Sequence, residues 1–245
     1  TGVQTCALPI SSSFEKSSTM SPINTQHNWS LRKQIFDYLS NQIEKGSLTP
    51  GSLINVRKLT EEMNISRTPL REALAQMEVQ GLVTIMPQRG VLINVLTYDQ
   101  LLNIFEILGA LESQVLMTVF GRITPKKIEK MEQYNDRMAE HIVNEKNRKF
   151  HESNIRLHQV FLDLSSNNEL TSYVSNLKLR VFGFALKSYR DRFKKAIVKE
   201  NQTLISLLRA GEKEKAVHYL KEVHWKFNYP DNFIRTESQI LSLGV

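Results

Sequence analysis

Proline is spread so unevenly along this 245-residue chain that it divides the chain in two. Five of its seven prolines stand at positions 9, 22, 50, 69 and 87, whereas the 104 residues between Pro125 and Pro230 contain none. Glycine thins out in the same place, with only Gly183 and Gly211 inside that stretch. Proline removes an interior helix hydrogen bond and clashes with the preceding turn. A proline-free run of this length, with apolar residues recurring at i, i+3 and i+4, therefore predicts several long helices. The front predicts short elements joined by turns, with the boundary near Thr97.

Composition bounds the function classes. The net charge is +7, but residues 28–97 carry eight Lys/Arg against six Asp/Glu, and residues 98–245 carry 23 against 18. So thin an excess does not argue for nucleic acid in bulk, and any such reading rests on where particular arginines stand. No uninterrupted apolar run approaches the roughly 20 residues of a bilayer span, so no membrane is expected. A single cysteine, Cys6, excludes an internal disulfide and a multi-cysteine zinc site, and suits a reducing cytoplasm. Thr1–Ile10 has no amphipathic period and reads either as the in-frame translation of a sequencing-library adapter, which would make Met20 the natural start, or as a disordered natural tail. The expected division is a tail over 1–27, a first domain over 28–97, a helical domain over 98–235 and a C-terminal tail over 236–245.

In the front, Ser30 is expected to cap a helix with Leu31, Ile35, Leu39 and Ile43 on its inner face, ending near Gly46. Leu48-Thr49-Pro50-Gly51 is a turn. A short helix over Val56–Met63 follows and breaks at Asn64. Ser66 or Thr68 caps a third helix with Pro69 in its first turn, where the missing N–H costs nothing. Leu70, Ala73, Leu74 and Met77 form its inner face, and Gly81 ends it. Two strands, over 82–85 and 91–93, then flank the turn Pro87-Gln88-Arg89-Gly90. Three short helices and a hairpin make a winged helix-turn-helix.

The third helix carries the chemistry. Arg67 and Arg71 are one turn apart at its N-terminal end, the end that enters the major groove in such domains. An arginine there can donate a bidentate pair to guanine or to a phosphate. Ser66 and Thr68 add hydroxyls and helix-terminal N–H groups for phosphate. Arg89 stands at the wing tip, where Gly90 permits close backbone approach.

Residues 31–95 resemble the DNA-binding domain of GntR-family bacterial repressors, above all through Ser66-Arg67-Thr68-Pro69-Leu70-Arg71-Glu72-Ala73-Leu74. Leu48-Thr49-Pro50-Gly51, Val56-Arg57-Lys58-Leu59, Gly81-Leu82-Val83 and Gln88-Arg89-Gly90 extend the match. The resemblance implies DNA contacts by Arg57, Arg67, Thr68, Arg71 and Gly90, to which geometry adds Ser66 and Arg89.

Residues 98 to about 228 resemble, more loosely, the helical FCD effector domain. The segments that carry this are Phe105-Glu106, Leu111-Glu112, Asn154 to Leu162, Asn167 to Leu170 and Glu200 to Ala216. Many FCD domains hold a divalent metal through an aspartate, a histidine four residues later and two further histidines. Here those places are taken by Asn154, His158, Asn201 and Val223, with His224 about 100° away on a regular helix. Leu108 also stands where many relatives have an arginine, which argues against a simple dicarboxylate effector. The expectation is therefore a metal-independent effector pocket using Asn154, His158 and Asn201, with Arg180 and Arg190 as candidate anion contacts. A metal held by His151, His158 and His224 is the alternative.

Taken together, the expected fold is mainly α, a winged helix-turn-helix followed by an antiparallel helical bundle. The expected function is a ligand-responsive repressor that binds a palindromic operator as a homodimer in the cytoplasm, with no cofactor and no catalysis. Two other readings compete: a metal-dependent helical enzyme using His151, His158 and His224, and an architectural DNA binder blind to ligand.

Overall fold

The structure, a computed structural model, describes residues 28–227. The adapter-like start with Cys6 and Met20, and the tail over 236–245, lie outside the described residues. The first domain runs α1 (Asn28–Glu44), β1 (Leu53–Ile54), α2 (Val56–Met63), α3 (Arg67–Val79), β2 (Val83–Met86) and β3 (Gly90–Ile93). Six helices follow: α4 (Tyr98–Val119), α5 (Pro125–Val143), α6 (Asn147–Leu162), α7 (Asn168–Ser188), α8 (Asp191–Arg209) and α9 (Lys213–Tyr219). The last continues into a π-helical turn, Leu220–His224.

Local chemistry explains the boundaries of the short elements. Asn55 caps α2 by accepting the Lys58 N–H at 3.0 Å. Asn64 closes α2 in the left-handed region, at φ 49°, a conformation its short amide tolerates. Pro69 lies in the first turn of α3, and the helix ends before Gly81, whose φ of +71° suits a residue without Cβ. Ser30 lies inside α1 rather than capping it, because the helix has already begun at Asn28.

The sheet has the order β1-β3-β2 with both pairings antiparallel, so β1 adds a third strand to the expected hairpin. Two residues are too few to show alternation, and β1 exists only because Leu53 and Ile54 pair with Leu92 and Val91. That pairing also gives Gly90 a structural reason. A Cβ there would lie 2.9 Å from the Ile54 carbonyl oxygen, and its φ is +109°. Glycine is thus required by the wing itself, whatever the wing touches.

Leu31, Ile35, Leu39 and Ile43 meet Leu70, Leu74 and Met77 in the core of the first domain, over Val83, Val91 and Ile93. One residue from outside, Leu179 of α7, completes that core. The second domain begins at a capping box: Thr97 accepts the Gln100 N–H, and the Gln100 side chain accepts the Thr97 N–H. Helix α4 is long and apolar enough to match a membrane span by composition. Its inner face is packed into the bundle and carries Glu112, fully buried and paired. That is the signature of a core helix.

Candidate functional site

The side chains expected to read DNA stand on the surface of the first domain. Ser66, Arg67, Thr68 and Arg71 are all exposed at the N-terminal end of α3, and Arg89 is exposed on the wing. Arg57, on α2, is also exposed and is held by Glu61 at 3.1 Å. Ser66 occupies the N-cap position of α3, yet its side chain makes no capping bond. Its hydroxyl and the first N–H groups of the helix are thus presented to an incoming anion.

The helical domain is built the other way, with charge inside. Glu112 of α4 is completely buried. One of its oxygens takes a short ion pair from Lys178 of α7. The other accepts from His158 Nδ1 of α6 at 2.7 Å and from Trp225 Nε1 at 3.0 Å. Burial pulls Glu112 toward its neutral form, but the Lys178 ammonium and the His158 donor pull harder and hold its carboxyl well below the usual range. Burial also lowers His158, to about 4, despite the opposing pull of Glu112. His158 is therefore neutral with its hydrogen on Nδ1, which leaves Nε2 to accept from His224 Nε2 at 3.2 Å. Glu200 stands behind His224, 3.3 Å from its Nδ1.

Of these groups, His158, Lys178, His224 and Trp225 line a cavity of about 60 Å³, above the roughly 10–15 Å³ that a single water requires. Phe105, Phe182, Tyr189, Phe193 and Trp225 supply aromatic walls, and Asn154 and His158 stand among them as expected. Asn201 is fully buried behind the wall and donates to the Asn154 oxygen at 3.0 Å. His151 also lines the cavity, with its ring packed edgewise on Phe150, Phe182 and Tyr189. Burial, helped by Lys194, lowers it to about 3, while a hydrogen bond to the backbone of Ala185 opposes the shift.

Two expectations are corrected. Arg180 is not at this cavity: its guanidinium lies against Gly81 of the first domain, in a small recess with Leu82 and Ile93. Arg190 sits in a separate polar depression with Asp191 and Lys194. One turn of helix decides the first case, since Lys178 and Phe182 face inward and the intervening Arg180 must face away. His224, by contrast, reaches the cavity although its register looked wrong by one residue. The π turn bonds Trp225 N–H to Leu220 O and takes up the extra residue, leaving Val223 exposed.

At the positions where many FCD domains hold a divalent metal, the polar atoms bond to one another. The Asn154 oxygen is occupied by Asn201, and the His158 and His224 nitrogens face each other across a hydrogen bond. Among the described residues, no group of three or more His, Cys, Asp or Glu is placed to hold an ion.

Sequence reasoning used Glu112 only as a landmark and missed Lys178 altogether. A signal was present for both. Lys178 falls on the same helical stripe as Val174, Val181 and Ala185, and Glu112 on that of Leu108 and Leu116. A charge on an apolar stripe is buried and must find its partner there.

A winged domain with outward arginines, joined to a helical domain around a charged cavity, defines a DNA-binding protein with an attached sensor-like bundle. Residues 31–93 match the family described as bacterial regulatory proteins, gntR family, and residues 103–224 match the FCD domain. The chain belongs to the GntR family, in its FCD-bearing form. The HTH-type transcriptional repressor RspR of Escherichia coli K12 is 26% identical over 151 residues, 62% of this chain. That match spans 66% of RspR, just under two thirds of its length. The Nta operon transcriptional regulator of Aminobacter aminovorans is 29% identical over 135 residues, 54% of this chain and 62% of that protein. The solved structure of E. coli McbR/YncC superposes with a TM-score of 0.67 at 20% identity, covering 79% of this chain and 93% of that one. At that identity the likeness speaks for the fold. The family and these relatives are transcriptional regulators, not enzymes.

Proposed function

We propose that this chain is a ligand-responsive repressor that binds a palindromic operator duplex as a homodimer, with a small metabolite in the helical cavity tuning its affinity. The observation that carries the reading is the state of three arginines. Arg67, Arg71 and Arg89 are exposed on α3 and the wing and make no ion pair among the described residues. Surface arginines commonly find a carboxylate, and Arg57 does. Three left unpaired on a helix end and a wing tip are free to meet groove and phosphate.

Pairing of two chains is supported by α4. Its outward positions Asn103, Ile107, Ala110, Gln114 and Met117 are exposed and repeat at alternating four- and three-residue spacing, the spacing of a helix–helix seam. Two copies on a palindrome extend the reading to two half-sites. The repressor sign follows the relative named a repressor. Effector chemistry follows from the neutral imidazoles of His151 and His158 and from the Asn154 amide, which suit an uncharged or mixed hydrogen-bonding ligand better than a metal or a dicarboxylate. Such a regulator works in the cytoplasm, where its DNA is.

The test is a titration of the full chain against a selected operator and a scrambled duplex at fixed salt. Arg67→Ala and Arg71→Ala are each expected to cost roughly 1–3 kcal/mol at the operator. Unaltered affinity for both would sink the assignment. A thermal-shift screen of small metabolites follows, with each hit added to the operator titration. Hits that stabilise the fold yet leave operator affinity untouched would favour the ligand-blind architectural binder. Light scattering is expected to give twice the 28.3 kDa chain mass; a strict monomer with and without DNA removes the dimer.

A further inference from the structure

Helix α7 feeds both hydrophobic cores. Val174, Val181 and Ala185 belong to the core of the helical domain, while Leu179 is buried in that of the winged domain. Consecutive helix residues are turned by about 100°, so a five-residue stretch reaches every face. Lys178, Val181 and Phe182 line the cavity, and Lys178 holds the buried carboxylate of Glu112. Between them, Leu179 and Arg180 point to the DNA-binding domain. The Arg180 guanidinium covers Gly81 so closely that a Cβ there would lie 3.2 Å from its central carbon.

Gly81 is no neutral place to press. Its N–H closes the end of α3 on Glu78 O. Its carbonyl accepts from Asn94 at 3.1 Å, just beyond β3. The recognition helix and the wing are thus joined at the residue that Arg180 covers. A second contact, Arg148 to the Lys45 carbonyl at 2.9 Å, ties α6 to the end of α1.

We infer that residues 178–182 of α7 are the lever through which occupancy of the cavity repositions the recognition helix. The inference rests on reading the cavity as the effector site. Close-packed interiors do not absorb a displacement locally. A ligand that shifts Lys178 or Phe182 must move the turn, and the turn cannot move without displacing Leu179 from one core and Arg180 from Gly81. Coupling of this kind is reciprocal, so operator binding also changes the cavity.

A double-mutant cycle on the full chain tests this without knowing the ligand. Phe182→Leu perturbs the cavity wall and Arg180→Ala removes the cover on Gly81; neither residue lies on the face of α3 that carries Arg67 and Arg71. Phe182→Leu is expected to change operator Kd on the order of fivefold in the wild-type background and by less than twofold beside Arg180→Ala. The same factor in both backgrounds overturns the lever while leaving operator binding intact. Amide exchange at Gly81 and Leu82 gives a second readout, expected to change with Phe182→Leu. If no duplex is bound selectively, the reading of the function fails, and unchanged exchange at those amides then overturns the lever separately. Should Phe182→Leu fail to fold, Val181→Ala takes its place in the cycle.

Discussion

The winged domain wears its charges outside, whereas the helical domain also buries several. In the first, the described basic residues stand around an uninterrupted apolar core, as an interface to a polyanion requires. In the second, Glu112, Lys178, His158 and Lys194 are all buried. The difference teaches where each function is stored. A DNA-reading surface needs its groups free, and their loss leaves the fold alone. A cavity built on ion pairs needs every partner present, because each charge is tolerated inside only through the others.

The sharpest break in this comparison comes from removing one inner partner. Glu112→Ala leaves the Lys178 ammonium buried without its carboxylate and strips the acceptor from His158 and Trp225. The expected loss is about 3–5 kcal/mol of stability, read by urea unfolding. Arg71→Ala, on the outer face, is expected within about 0.5 kcal/mol of wild type in the same assay. Replacing Glu112 by Leu together with Lys178 by Met is expected to recover much of the loss, since no lone charge remains. Equal stability of Glu112→Ala and Arg71→Ala would erase the distinction between the two domains.

Acid sharpens the comparison, because residues 28–97 contain no histidine. His158 and His151 are lowered from 6.5 to about 4 and about 3, chiefly by burial. Above pH 6.5 both are neutral whether the chain is folded or unfolded, and their contribution to stability is fully present. As the pH falls below 6.5, the unfolded chain takes up protons that the folded one refuses, so stability declines until about pH 4 for His158 and about pH 3 for His151. Glu112, held low in the fold, adds its own loss once the pH passes below 4.5. The helical domain is therefore expected to lose several kcal/mol, to order of magnitude, between pH 7 and pH 4. Calorimetry against pH checks this. A helical transition that does not move over that range would mean that the two imidazoles are already charged in the fold.

The two domains were also unequally legible in the sequence, for the same reason. Helix α2, its stop at Asn64, the inner face of α3 and the Gly-tipped wing are written in local chemistry, within a few residues of where they act. Strand β1 is not, since it exists only through its partner β3. In the helical domain the presence of several long helices followed from the absence of proline. The cavity did not, because Glu112, His158, Lys178 and Trp225 come from separate segments that only tertiary packing brings together. His224 shows the limit most plainly. Counting residues on a regular helix turns it away from the cavity, and a single π turn, which no spacing rule anticipates, turns it back.

The smallest expected effect separates a cap from a contact. Ser66 is one of the two residues, with Thr68, that the sequence offers as a cap of α3, and a working cap is worth about 1 kcal/mol when cut back to alanine. Here its hydroxyl makes no capping bond. The backbone geometry of a cap is nonetheless present, with φ −73° and ψ 162°, so alanine fits without strain. Ser66→Ala is therefore expected to change stability by less than about 0.5 kcal/mol. If the free hydroxyl serves phosphate, the same change weakens binding to operator and scrambled duplex by an equal, modest factor, since phosphate contacts carry no sequence information. Urea unfolding and the two titrations read these separately. A stability loss near 1 kcal/mol with unaltered DNA binding would return Ser66 to the fold, and would shift the outer face of α3 back toward Arg67 and Arg71 alone.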